Sequence, residues 1–164
     1  MTGTAKQLDT IAALLREETT LALATADERG EPCIAPLFYL AGPALSLFWL
    51  SSRKSLHSRN LIRSPRASAT VYHSAERWKQ IRGVQMRGSV AVVTDPARRK
   101  ALVKLYCERF QLGTLLRLAI GQCDLYEFRP DFFRYIDNTE HFGYKFEVSL
   151  LTDAPESSTP PPSE

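Results

Sequence analysis

Apolar residues recur at helical spacing near the start of the chain and then gather in short runs. Leucine or isoleucine at positions 8, 11, 14 and 15 would share one helical face, which predicts a helix over about 4–18. The next apolar runs are short, and the turn segments DERG and AGP separate them. We predict three strands joined as a meander, at residues 19–25, 33–40 and 45–50.

Helices and further strands alternate in the rest of the chain. Residues 51–64 begin with serines and end before Pro65, which predicts a capped helix of about three turns. Asp95 and Pro96 are residue types favoured at the N-cap and first position of a helix, here one that continues to Arg109. The other predicted elements are strands at 67–73 and 81–94, a helical turn at 112–119, a strand bent around Pro130 at 125–136, and a last strand at 144–150.

About six strands with two or three intervening helices predict an α+β fold, a six-stranded antiparallel β-barrel with peripheral helices. Gly83 and Gly88, inside the strand at 81–94, indicate a bulge or the close approach of a neighbouring backbone. The last thirteen residues, TDAPESSTPPPSE, contain four prolines and little apolar surface. We therefore predict a single domain at 1–151 and a disordered tail at 152–164.

Composition and charge argue against several classes of protein, among them membrane-spanning and disulfide-rich proteins. The chain holds 21 basic and 18 acidic residues, a net charge of +3 that does not require a polyanionic partner. No apolar run approaches the roughly 18 residues of a membrane span, and the N-terminal segment lacks a signal-peptide core. Three cysteines without a C-x-x-C pair argue against a disulfide framework, and three scattered histidines give no metal signature. We expect a cytoplasmic protein.

The local charge balance between residues 32 and 75 differs from the overall one. This stretch contains no Asp or Glu but five basic residues, and its densest point is the segment SSRK. A strand-to-helix junction offers free backbone N–H groups, while Ser, Arg and Lys side chains add donors suited to a phosphate dianion. We predict a phosphate-binding site formed by Ser51, Ser52, Arg53 and Lys54.

Two other interpretations of the same charges stay open. The basic residues could form a solvated helix face whose only effect is to keep the protein in solution. Nucleic-acid binding is the weaker alternative, because one short helix without interleaved aromatic residues offers bases little to stack on. Both alternatives make the SSRK segment a surface without a specific small-molecule ligand.

Several segments of the sequence resemble one known family. LSLFWLSSRKSLHSRNLIRSPRASATVY resembles the aromatic strand, S-R-K turn, helix and next strand of pyridoxamine 5'-phosphate oxidase and its FMN-binding split-barrel relatives. IRGVQMRGSVAVV is similar to the glycine-containing strand that follows in those proteins. The IRGVQ-x-x-G pattern, the KLYCERF helix and the closing DNTEHFGYK together resemble a set of small uncharacterised bacterial members. The resemblance covers roughly residues 4–148.

The resemblance implies a homodimeric split β-barrel with two FMN molecules at the subunit interface. The family's S-R-K turn, which grips the FMN phosphate, corresponds to Ser52, Arg53 and Lys54, whereas Ser51 is added on chemical grounds alone. Two strands would line the isoalloxazine ring through backbone hydrogen bonds, and a third would face the flavin. The residues expected there are Phe38, Tyr39, Trp49, Leu50 and Gln85.

The closing segment DNTEHFGYK adds two candidate site residues. The related small proteins share its DNT-x-x-FG-x-K pattern, which includes Asn138 and Lys145. The resemblance implies that both residues lie near the flavin or the subunit interface. The alternative is that the loop residues only fix their own turn.

Two features of pyridoxamine 5'-phosphate oxidases are missing. The R-x-x-x-L-K pattern of their second strand is replaced by APLFYL at 35–40, and no C-terminal segment supplies their Trp and Arg. Oxidation of pyridoxamine phosphate itself is therefore not expected. The resemblance implies an FMN-binding protein that acts as a flavin-dependent oxidoreductase on an unknown small molecule. The alternative is a non-catalytic binder of flavin, deazaflavin or haem in the same groove.

Overall fold

Four helices and eight strands form between residues 3 and 150, the part of the chain that the computed structural model describes. The helices are α1 Gly3–Glu17, α2 Leu56–Arg63, α3 Pro96–Arg109 and α4 Thr114–Ile120. The strands are β1 Thr20–Ala26, β2 Pro32–Phe38, β3 Leu40–Ala41, β4 Leu47–Ser51, β5 Arg66–Tyr72, β6 Arg82–Val92, β7 Asp124–Asp137 and β8 Lys145–Ser149. Within this range no helix has the length and apolar character needed to cross a membrane. The tail predicted at 152–164 lies outside the described residues.

One curled antiparallel sheet contains all eight strands. Their order is β2-β1-β5-β6-β7-β4-β3, and β8 pairs with the far part of β7. The predicted α+β class and antiparallel split barrel are confirmed. The predicted number of about six strands was slightly too low, because the second predicted strand divides in two at Tyr39; the last strand predicted at 144–150 is present as β8.

The chain changes its strand partner at Tyr39. β2 pairs with β1, whereas β3 turns across to β4 and joins it through only two residue pairs. Tyr39 is buried at this bend, where its N–H donates to the Thr19 carbonyl at 3.0 Å and its hydroxyl to the Leu15 carbonyl at 2.8 Å. The predicted meander is therefore wrong in its third strand, because β4 pairs along its whole length with β7 and never with β2.

A bulge marks the long ladder between β6 and β7. The register shifts beside Gly88 and leaves Asp131 without a partner on β6. A Cβ at Gly88 would lie 2.2 Å from the Arg129 carbonyl oxygen, and a Cβ at Gly83 would lie 2.9 Å from the neighbouring strand. The close approach predicted for both glycines is confirmed. The bend predicted at Pro130 is this bulge within one continuous strand.

The interior of the barrel holds the main hydrophobic core. Alternate residues of β1 point inward, and Leu21 and Leu23 are fully buried there. α1 packs its apolar face, including Ile11, against this core, as the helical spacing predicted. α2 is fixed by its buried Asn60, whose Nδ2 donates to Thr25 Oγ1 at 3.1 Å. The barrel therefore holds the end of β4 and the start of α2 in one rigid frame.

Candidate functional site

The predicted phosphate ligands lie in the loop between β4 and α2. β4 ends at Ser51 and α2 begins only at Leu56, so the predicted helix started too early. The cause is Ser55, the N-cap residue, whose Oγ accepts a hydrogen bond from the Ser58 backbone N–H at 3.3 Å. Residues 52–55 therefore form an irregular segment, called the SRK loop below.

Three polar side chains of the SRK loop are exposed to solvent. They belong to Ser52, Arg53 and Lys54, and the Ser52 Oγ accepts a hydrogen bond from the Lys54 N–H at 3.2 Å. The loop thus brings a hydroxyl, a guanidinium and an ammonium group together, which is a donor set suited to an anion. Among residues 3–150, Lys54 forms no ion pair.

Ser51 differs from these three neighbours because it is buried. Its Oγ lies 2.7 Å from His57 Nε2 and 3.2 Å from Ser55 Oγ. Ser55 Oγ lies 3.1 Å from the same His57 nitrogen. These contacts tie the loop to the first turn of α2. Ser51 therefore supports the loop from within, whereas the sequence prediction made it a direct phosphate ligand.

His57 is expected to make the stability of the protein depend on pH. Burial lowers the pKa of His57, so the folded protein favours the neutral imidazole. As the pH falls below about 6.5, the ordinary pKa of histidine, the unfolded chain binds this proton more readily and the free energy of unfolding decreases. When urea unfolding is measured between pH about 7.5 and about 5, the free energy of unfolding should decrease more steeply for wild type than for His57→Gln. Parallel curves for the two proteins would contradict this.

Three of the five basic residues in the acid-free stretch have acidic partners from outside it. The pairs are Arg53–Asp124, Arg63–Glu28 and Arg66–Asp131. Within the described part of the chain only Lys54 and Arg59 of the five lack such a partner. The positive charge of the stretch is therefore largely compensated, which the absence of Asp and Glu from the local sequence did not predict.

Two strand edges next to the SRK loop lack a partner strand. β2 pairs with β1 alone, and the last three residues of β4 pair with β7 alone, as far as residues 3–150 are concerned. Such edges present backbone N–H and C=O groups that a planar heteroaromatic ligand can bind. The part of the barrel wall between these two unpaired edges is called the split below.

The side chains of the predicted ring-lining residues have different surroundings. Tyr39 and Trp49 are fully buried, and Trp49 stacks on Tyr126 with the ring centroids 5.8 Å apart. Leu50 is half-buried in a small cluster with residues of α3, whereas Phe38 is exposed at the end of β2. The side chains of Tyr39 and Trp49 are therefore part of the core, and Phe38 is the exposed member of the set.

A groove of about 390 Å³ lies on the outer face of the sheet. Small residues of β1 and β5 line it, together with Gln85, Arg87 and Phe132. The Arg87 guanidinium lies 4.2 Å from the centre of the Phe132 ring. The Gln85 side chain is exposed in this groove.

Asn138 and Lys145 lie at the other end of β7 from the SRK loop. Asn138 Nδ2 donates to the Trp78 carbonyl at 2.9 Å, and its Oδ1 accepts from the Gly143 N–H at 3.1 Å. Lys145 begins β8 and is exposed opposite Ile136. Asn138 fixes its own loop, which is the second of the two roles considered for it, and neither residue joins the three exposed donors.

The sequence analysis missed two groups of possible ligands. Polar atoms of Glu17, Glu18 and His73 lie within 4.8 Å of one another, but His73 Nδ1 contacts Glu18 Oε1 at 2.9 Å and Arg82 contacts Glu17 at 2.8 Å. His73 and Glu18 are therefore already in contact with each other, and Glu17 is already in contact with Arg82. The second group is the pair of Arg53 with Asp124, which no sequence signal reveals because 71 positions separate the two residues.

Comparison with known proteins identifies relatives of this chain. Residues 8–131 match the family model described as pyridoxamine 5'-phosphate oxidase. A UPF0306 protein of Yersinia pseudotuberculosis serotype O:3 (strain YPIII) is 23% identical over 137 residues, covering 84% of this chain and 89% of the relative.

Solved structures share the fold at low sequence identity. HutZ, described as the haem storage protein from Vibrio cholerae, is 21% identical with a TM-score of 0.63, covering 74% of this chain and 88% of that one. A protein described as a haem binding protein from Mycobacterium smegmatis is 18% identical with a TM-score of 0.66, covering 92% of this chain and 59% of that one. At these identities the likeness concerns the fold alone.

Proposed function

Because this chain belongs to the pyridoxamine 5'-phosphate oxidase family, we propose that it binds FMN and uses the flavin in an oxidoreductase reaction on a small molecule. The observation that carries this proposal is the SRK loop. Ser52, Arg53 and Lys54 expose three different phosphate donors within three consecutive residues at the end of β4. The same residues correspond to the turn that grips the FMN phosphate in the family.

The residues of this region fit FMN in two respects. Lys54 and the free N–H groups of Arg53 suit a phosphate dianion, and the unpaired edges of β2 and β4 suit the polar rim of an isoalloxazine ring. When bound, FMN supplies the redox chemistry. The part of this chain is to hold the phosphate, orient the ring and leave one side of the ring accessible to a reactant.

The substrate is a molecule other than pyridoxamine phosphate. The two basic residues of the oxidase pattern are replaced by Ala35, which lies on the inward side of β2, and by Leu40, which packs beside Phe48. An apolar side chain at these positions cannot donate to a phosphate group. The chain therefore lacks part of the charge with which the oxidases hold their phosphorylated ligands.

We further propose a homodimer that forms through the outer face of the sheet. Ile34, Phe38 and Tyr72 are large apolar residues exposed on β2 and β5, and Ile34 also lines the groove that contains Gln85. Contiguous apolar surface of this kind is typical of protein interfaces. A second copy would cover it and would add a wall to the open side of a flavin bound in the split.

Haem is a second candidate for the same region. The observation that favours it is the fold shared with two proteins described as a haem storage protein and a haem binding protein. A haem-binding site usually supplies an axial ligand such as histidine or cysteine. His57 lies beside the SRK loop, but it is half-buried and its Nε2 lies 2.7 Å from Ser51 Oγ. This nitrogen is already engaged in a hydrogen bond, which favours flavin over haem.

An absorption experiment tests the proposed function. Purified protein is incubated with excess FMN, riboflavin or haem, desalted, and examined by visible spectroscopy. We expect retained flavin bands with FMN, much weaker retention of riboflavin, and no Soret band. Retention of haem with loss of FMN would contradict the proposal. Consumption of NAD(P)H by the FMN-loaded protein would then separate an oxidoreductase from a non-catalytic binder.

A further inference from the structure

We propose that Asp124 is a positioning residue that holds the Arg53 guanidinium ready for a phosphate group at the SRK loop. Asp124 is the first residue of β7 and lies directly opposite Ser51 in the ladder with β4. Its carboxylate accepts hydrogen bonds from Nε and from Nη2 of Arg53, the second at 3.2 Å. This inference rests on the proposed function, because the phosphate is that of FMN.

The backbone of Asp124 is itself firmly placed. The carbonyl of the preceding residue, Cys123, accepts a hydrogen bond from Arg99 Nη2 at 2.8 Å, and the ladder with β4 fixes the next residues. The Asp124 side chain is only 18% exposed, whereas that of Arg53 is 75% exposed. A rigid carboxylate therefore anchors an otherwise mobile guanidinium.

The geometry of the Arg53–Asp124 pair leaves the edge of the Arg53 guanidinium that carries Nη1 and Nη2 free to bind a ligand. A guanidinium carries five N–H groups, and the carboxylate takes one on Nε and one on Nη2. Both N–H groups of Nη1 and the second one of Nη2 stay available. They lie on the edge of the plane that faces away from Asp124, so a phosphate can bind there in the two-pronged mode of arginine.

Asp124 has two opposite effects on the affinity for a phosphate group, and the ordering of Arg53 decides which one is larger. A free arginine side chain loses much conformational entropy when it binds a ligand, and Asp124 removes part of that loss before the ligand arrives. The Asp124 carboxylate also repels a phosphate dianion. The phosphate would bind at the Arg53 guanidinium, whose side chain is 75% exposed, so solvent screens this repulsion and the gain from ordering is the larger effect.

Flavin titrations of Asp124→Asn test the proposal. We expect FMN affinity to fall about tenfold, since Arg53 must then be ordered by the ligand, whereas riboflavin affinity stays unchanged because riboflavin has no phosphate. Asp131→Asn is the matched control. Asp131 also lies on β7, is also 18% exposed and also pairs with an arginine, Arg66, so its loss should change neither affinity.

The conservative variant Asp124→Glu keeps the carboxylate and should recover part of the FMN affinity. Equal losses for FMN and riboflavin would assign Asp124 a purely structural role and overturn the proposal. Unchanged or tighter FMN binding by Asp124→Asn would also overturn it. If Arg53→Ala lowers FMN affinity selectively while Asp124→Asn does not, the proposed function stands and this inference fails.

A second measurement needs no flavin. Inorganic phosphate is titrated into the protein while the Nε–H resonance of Arg53 is followed by nuclear magnetic resonance. We expect a saturable shift in wild type and a weaker response at equal phosphate concentration in Asp124→Asn. Absence of any shift in wild type would overturn the role of Asp124, even for a protein that binds no flavin.

Discussion

Replacement of both Arg53 and Lys54 by alanine is expected to weaken FMN binding roughly 100-fold or more, because each charged hydrogen bond to a phosphate contributes on the order of 1.5–3 kcal/mol. Both side chains are exposed at the end of β4, so their removal leaves the core and the ladder with β7 unchanged. Fluorescence titration measures the FMN affinity, and riboflavin serves as the ligand without phosphate. The affinity of the double variant for riboflavin should stay within a few-fold of the wild-type value.

Arg59→Ala with Arg63→Ala is the matched control for this pair. These two residues lie on α2 in the same acid-free stretch, and their loss changes the net charge by the same amount. If FMN affinity depended only on the overall positive charge of this region, both double variants would weaken it equally. Equal weakening would contradict a specific phosphate site in the SRK loop.

Ile34→Asp is expected to convert the proposed homodimer into a monomer. The Ile34 side chain is 74% exposed in the middle of the edge strand β2, on the outer face of the sheet. In a symmetric dimer the same substitution occurs on both copies, so two charges would lose water within one apolar contact. Light scattering at micromolar concentration should show the dimer mass for wild type and the monomer mass for Ile34→Asp. Ile34→Asp should also lower FMN retention, because the second copy no longer covers the open side of the bound flavin.

Ile62→Asp provides the control for this substitution. Ile62 is the same residue type and is 71% exposed, but it lies on α2 rather than on the outer face of the sheet. It should leave the mass and the FMN retention unchanged. A wild-type protein that is already monomeric would refute the proposed interface, and dissociation by both variants would show that the effect is not specific to the sheet.

Local patterns in the sequence predicted most of the helices and strands. The helical spacing of the first segment and the Asp95-Pro96 start of α3 are confirmed, and the Asp95 side chain accepts a hydrogen bond from the Arg98 N–H at 2.6 Å. The pairing of β4 with β7 was missed, because strand partners far apart in the chain leave no local pattern. The break at Tyr39 was missed for a similar reason, since the Leu15 carbonyl that holds its hydroxyl comes from α1.

The candidate site was predictable as a segment but not as a set of contacts. Ser52, Arg53 and Lys54 are adjacent in sequence, so their shared loop followed from the residues themselves. The burial of Ser51 against His57 depends on where α2 begins, which Ser55 decides by capping it. Asp124 joins the site only through the fold, and no feature of its own sequence neighbourhood indicates that it contacts Arg53.

The ladder between β3 and β4 is the shortest in the described part of the sheet, which bears on how the barrel wall can change shape. Only two residue pairs and the turn bond from the Gly42 N–H to the Ser46 carbonyl, at 2.8 Å, join the two sides there. Every other ladder of the sheet stays intact if this ladder opens. The width of the split can therefore change during evolution by substitutions in one short hairpin, with little cost to the core.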